Sequence, residues 1–131
     1  MDPVKQGYSL VTQHMVMYND CNTTDFLFGG RLLAWIDEAA GLYLREFLDR
    51  THLVTARIDE MSFSNPTKLG ETVRIYCKIE ALGKSSATVT VYVNNLNYGS
   101  QHHNEIARTK MVWVSVNQDG RPEEHGKKMV S

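Results

Sequence analysis

The stretch Phe28-Gly29-Gly30-Arg31-Leu32-Leu33-Ala34-Trp35-Ile36-Asp37-Glu38-Ala39-Ala40-Gly41-Leu42-Tyr43-Leu44 decides how this chain folds. Successive helical residues turn by roughly 100°, so residues three, four and seven apart share a face. On that geometry Arg31, Glu38, Arg45 and Asp49 form one narrow polar stripe, and most of the remaining circumference is apolar or small. The pattern predicts a helix from about Gly29 to about Asp49, with an apolar arc wide enough to be covered on several sides. Asp37 breaks the pattern, because it lies about 120° from the polar stripe. Its neighbours one or two turns away are Leu33, Ala34, Ala40, Gly41 and Leu44. An ionised carboxylate in that company costs free energy unless it has partners, and proteins carry such a cost most often where chemistry is done. The competing reading is a structural acid, bonded to a neighbouring chain or partnering the helix dipole.

Working outward from the helix, the chain is β. Residues 8–18 read as a strand, and residues 19–27 are dense in turn and capping types and read as a loop. After the helix, Val54 to Ile58 alternates, and Met61 and Phe63 continue one residue out of phase, as a β-bulge would cause. Val73, Ile75, Cys77 and Ile79 alternate with polar residues, Gly83-Lys84-Ser85-Ser86 reads as a hairpin turn, and Ala87 to Val93 alternates again. Residues 94–104 read as a polar loop, and Ile106 to Val116 as a last strand. Short turns between the later strands imply an antiparallel sheet. The expected architecture is α+β, one long helix against one curved sheet. The face away from the helix is expected to carry Tyr76, Tyr92 and Trp113 or their alternates. That second face and the edge strands predict a homodimer or a larger symmetric assembly.

The bulk numbers restrict the function classes. At 131 residues the chain fits one domain over 1–131, with an ordered core from about 8 to 120 and a frayed tail over 121–131. A net charge of −1 leaves no basic excess to neutralise phosphates, so nucleic acid is not the expected partner. No run approaches the ~20 apolar residues of a membrane helix, and the N-terminus shows no secretory pattern. Cys21 and Cys77 are too few for a disulfide framework, so reduced thiols and a cytoplasmic location are expected. The five histidines show no metal-ligand spacing, and no Ser or Cys sits in a nucleophile elbow.

The order Asp20-Cys21-Asn22, Phe28-Gly29-Gly30 and Asp37-Glu38-Ala39-Ala40-Gly41 resembles the hotdog-fold acyl-CoA thioesterases. Among them it is most similar to the single-domain bacterial YciA-type enzymes and the repeats of the cytosolic acyl-CoA hydrolases. The likeness continues through Val54-Thr55-Ala56-Arg57, Met61-Ser62-Phe63, Gly83-Lys84-Ser85-Ser86 and Asp119-Gly120-Arg121-Pro122. It implies a helix wrapped by an antiparallel sheet and a homodimer with two sites at its interface, often as a trimer of dimers. It implies hydrolysis of an acyl-CoA to free acid and CoA, with no cofactor beyond the CoA of the substrate. The stretch Thr23 to Phe28 departs from relatives, which often carry a further Gly and Asn and a His before the glycines.

The resemblance makes Asp37 the catalytic carboxylate, with Glu38 as the alternative acid, and has the Gly29-Gly30 backbone receive the thioester carbonyl. A carboxylate can activate water or attack directly. The first amides of a helix have no internal partner and sit at its positive end. Asn22 is a candidate for a direct role in the site, and the competing reading has it stabilising its own loop. Arg57, Lys84, Ser85, Ser86 and Arg108 are candidates to contact CoA; the turn at 83–86 offers amides, a cation and two hydroxyls. The alternatives are a thioesterase acting on an acyl carrier protein or an aromatic acyl-CoA, or a non-catalytic acyl-CoA-binding module.

Overall fold

The computed structural model describes residues 1–97 and 102–129. Strand β1 (Ser9–Met15) and a 3-10 turn at Tyr18–Asp20 precede helix α1 (Gly29–Leu48). Strands β2 (Leu53–Phe63), β3 (Thr72–Leu82), β4 (Ser86–Asn97) and β5 (His102–Ser115) follow. The strands form one antiparallel sheet in the order β1-β3-β4-β5-β2. This is the hotdog arrangement. No helix among the described residues is long and apolar enough to cross a membrane.

Helix α1 ends where the chain turns left-handed at Asp49 (φ 53°), whose amide closes on the Arg45 carbonyl. Its buried face is Leu32, Trp35, Ile36, Ala39, Ala40, Leu44 and Leu48. That face packs into a core with Val73, Ile75, Cys77, Val89, Val91, Val93, Met111 and Trp113. Arg31, Glu38, Arg45 and Asp49 are exposed, as the stripe predicts, but so are Ala34 and Leu42, because the sheet covers one face of the helix. Gly41 marks the closest approach of helix and sheet, since a Cβ there would lie 3.0 Å from the Trp113 ring. Gly41→Val is therefore expected to cost about 2–3 kcal/mol in chemical denaturation, from overpacking against an indole held by the sheet. Gly29→Ala meets open space and serves as the control.

Several expectations need correction. Trp113 faces the helix and belongs to the main core. Only Tyr76 and Tyr92 lie in the separate cluster, capped by Tyr8 from the N-terminal turn. The segment expected as a loop over residues 94–104 is largely sheet, since Asn94, Asn95, Leu96 and Asn97 pair with Glu105, Asn104, His103 and His102. Residues 98–101 lie outside the described residues. Asn disfavours strands, yet buried Asn95 donates from Nδ2 to Thr67 Oγ1 at 3.3 Å and accepts from the Asn104 amide. Strand β2 carries two irregularities, at Thr55/Arg57 and Asp59/Ser62, and Glu60 takes φ 47°. The tail beyond Arg121 does not fray in its first residues: Val116 bridges Pro122, and the Glu123 and His125 amides donate to Ser115 and Lys84 carbonyls.

Candidate active site

Asp37 lies midway along α1 and is half-buried. Its Oδ1 accepts a 2.6 Å hydrogen bond from Thr55 Oγ1, and Thr55 is the third residue of β2. The two meet because α1 lies across the sheet next to edge strand β2. No other hydrogen bond to Asp37 occurs among the described residues, so Oδ2 is open to a ligand. Thr55, the partner of Asp37, is not marked as a site candidate by the sequence. It stands in a quoted stretch, but nothing in strand periodicity says which helix residue a strand hydroxyl meets. Glu38, on the polar stripe, is exposed and makes no part of this contact.

The start of the helix forms the second part of the site. Phe28 is extended (φ −69°, ψ 129°), and its carbonyl accepts the Arg31 and Leu32 amides at 3.0 and 3.1 Å. The Gly29 and Gly30 amides have no acceptor among the described residues. They are exposed, at the positive end of the helix dipole. A Cβ on Gly29 would meet nothing within 4 Å, whereas one on Gly30 would strike the Phe28 ring. Beside them lies a cleft of about 320 Å³ with Leu27, Leu32, Phe63 and Pro66 in its wall.

Asn22 organises the approach to the helix. Its Oδ1 accepts from the Thr24 amide (2.9 Å), the Thr24 hydroxyl (2.7 Å) and the Phe26 amide (3.3 Å). The loop is tied to α1 through the Phe28 amide on the Asp20 carbonyl, and to β3's approach through the Leu27 amide on the Thr67 carbonyl. The side-chain oxygen of Asn22 is thus spent on its own loop, and its amide nitrogen alone is left to reach a ligand.

The remaining candidates are scattered within one protomer. Lys84, Ser85 and Ser86 sit on the β3–β4 turn, next to Ser115 at the end of β5 and so at the C-terminal end of α1. Arg57 is exposed and paired with Asp59 at 3.0 Å. Arg108 is paired with Glu105 at 2.6 Å and stacks over Tyr92 on the far face of the sheet. Neither thiol is a poised nucleophile, since burial pushes Cys77 up to about 12 and raises Cys21, which also feels Asp25 and Asp20. His14 stacks on Trp35 at 4.2 Å, and its pKa is lowered by burial against the opposing pull of Glu38 and Asp20. No group of metal-ligating side chains occurs among the described residues.

Comparison with known proteins identifies the family of the chain. The chain is 26% identical over 125 residues to the acyl-CoA thioester hydrolase YciA of Salmonella typhimurium, covering 93% of this chain and 92% of that protein. The crystal structure of a hexameric thioesterase from Yersinia pestis superposes with a TM-score of 0.83 at 27% identity, covering 88% of this chain and 93% of that one. An acyl-CoA hydrolase from Staphylococcus aureus, solved with butyryl-CoA and CoA, gives 0.80 at 25% identity, covering 92% of this chain and 72% of that one. That enzyme has also been solved with alanine in place of an asparagine and of an aspartate fifteen positions further on. The family model of the Thioesterase superfamily matches residues 24–97, more than half of the sequence, and the chain belongs to that superfamily as a thioesterase of the hotdog fold.

Proposed function

We propose that the protein hydrolyses acyl-CoA thioesters to free acid and CoA, with Asp37 as the catalytic carboxylate. The observation that carries this reading is the state of Asp37. One oxygen is held by Thr55, and the other is free, on a half-buried helix face. Thr55 fixes the rotamer, so the free oxygen is aimed. It takes a proton from a water attacking the thioester carbon, or attacks that carbon itself to give an anhydride that water then opens. Either way the carbon–sulfur bond breaks, and CoA leaves as its thiol after taking up a proton. The open amides of Gly29 and Gly30 suit the oxyanion that develops on the carbonyl. Asn22 and Asp37 also share the fifteen-residue spacing of the two residues replaced in the S. aureus hydrolase.

Distance adds a requirement. A helix rises ~1.5 Å per residue, so the Gly29 amide lies roughly 12 Å along α1 from Asp37. One thioester carbonyl spans no such gap. Two protomers related by a two-fold axis, with their helices antiparallel, bring Asp37 of one against the glycine amides of the other. The site is therefore a property of a homo-oligomer, as the hexameric assembly of the Yersinia relative supports. The same operation turns the β3–β4 turn of one protomer, with Lys84, Ser85 and Ser86, toward the partner's helix start. Asn22, through its free amide nitrogen and its loop, sets the position of that start.

The test is thiol release by the purified protein from a panel of acyl-CoAs, aromatic acyl-CoAs and an acyl carrier protein thioester. Release from acyl-CoAs at rates well above the carrier-protein thioester is expected. Binding of acyl-CoA with no thiol released would sink the hydrolase reading and leave a binding module.

A further inference from the structure

The C-terminal segment carries cations that the chemistry at Asp37 leaves unused. Beyond β5 the chain reverses at Asn117 to Gly120, bridges Val116 to Pro122, and crosses the β3–β4 turn. His125 latches it there. The His125 amide donates to the Lys84 carbonyl at 3.1 Å, and the ring is 7% exposed. Both ring nitrogens are engaged: Nε2 lies 3.0 Å from the Ser86 carbonyl, and Nδ1 accepts from the Lys127 amide at 3.0 Å. A carbonyl only accepts and an amide N–H only donates, so the proton sits on Nε2 and the ring is fixed in one tautomer. The latch is followed by Gly126 in a left-handed conformation (φ 75°), which lays Lys127 and Lys128 beside Lys84.

Lys84, Lys127 and Lys128 line one cleft of about 570 Å³ with Leu82 and Met129, against a single carboxylate, Glu124. Among the described residues none of the three lysines is in an ion pair. Lys127 Nζ instead lies over the Phe47 ring at 5.4 Å. Three unneutralised ammonium groups around a cleft with apolar walls suit a multiply charged anion that also carries an apolar or aromatic part. We propose that the tail, latched by His125, completes with Lys84 a cationic cleft that takes the phosphates of the CoA nucleotide. This rests on the acyl-CoA reading above. The spacing fits that reading: Phe47 is ten residues past Asp37, roughly 15 Å along the helix, a distance an extended pantetheine arm covers. His125 is a positioning residue, and Lys127 and Lys128 are binding residues.

The test is direct titration of the full-length chain with CoA and, separately, with pantetheine, which lacks the phosphates. In the Lys127→Gln/Lys128→Gln variant the Kd for CoA is expected to rise about tenfold and its salt dependence to flatten, with pantetheine binding unchanged. His125→Ala is expected to weaken CoA alone, although both lysines remain. Unchanged CoA affinity in the double variant overturns the proposal, as does an equal loss for CoA and pantetheine, which would mark a structural defect. Those cations would then serve only the C-terminal end of the α1 dipole. CoA binding with the expected lysine dependence but no thiol release overturns the hydrolase reading and leaves the cleft standing. Thiol release with lysine-independent CoA affinity overturns the cleft alone.

Discussion

Asp37→Asn is expected to lower kcat on acyl-CoA by about 10²–10⁴-fold, with little change in KM or thermal stability. Asn is nearly isosteric and keeps an oxygen to accept the Thr55 hydroxyl, which reaches Asp37 at 2.6 Å. What it loses is the oxygen that takes a proton or attacks carbon. Asp37 is half-buried and lies at the margin of the core, so folding has little stake in its charge. Asp37→Ala is expected to lose the same rate and, in addition, about 0.5–1.5 kcal/mol from the orphaned Thr55 hydroxyl. Thr55→Val leaves the carboxylate in place but unheld, and is expected to cost less than either. Steady-state thiol release and thermal melts on the same preparations separate the two kinds of loss. A variant with intact rate at position 37 would remove Asp37 from the mechanism.

The sequence carried the helix because its periodicity is set by one local geometry. The polar stripe of Arg31, Glu38, Arg45 and Asp49 is exposed as read, and the helix bounds agree within a residue. Alternation located β3 and β4 for the same reason. The sequence failed where partners distant in the chain decide. Asn95 reads as loop, yet Thr67 and the Asn104 amide satisfy it inside a sheet. Trp113 reads as a residue of the outer face, but the helix presents Gly41 opposite it and leaves room for the indole. The tail reads as polar and loose, and His125 docks it by hydrogen bonds that no hydropathy pattern encodes. In the site, the odd phase of Asp37 was legible, and so were the glycines that leave two amides open. Thr55 was not, because helix-to-strand contacts are tertiary. The split between Asp37 and the glycines was legible, since it follows from eight residues of helix rise between their positions in the sequence.

That split gives the second large effect. Gly29→Pro deletes one open amide with little else disturbed. Phe28 already has the extended backbone that a residue before proline requires. Proline is favoured at the first helical position, and a Cβ there meets nothing within 4 Å. Gly30→Pro deletes the neighbouring amide at a larger structural cost, since its Cβ strikes the Phe28 ring, which is 58% exposed, and a proline disfavours the helical backbone of Gly29 before it. Loss of an oxyanion donor is expected to cost about 10²–10³ in kcat. Asp37→Asn and the slower of these proline variants are then each nearly inactive, for different reasons and in different halves of one site.

The measurement that decides the account is the initial rate of thiol release from acyl-CoA by an equimolar, co-assembled mixture of those two variants. If each site joins Asp37 of one protomer to the glycine amides of its partner, random assembly leaves about a quarter of the sites with both intact. The mixture is therefore predicted to recover about a quarter of the wild-type rate. A mixture as inactive as its parents would mean that both defects fall within one protomer's own site, and would contradict the shared active site.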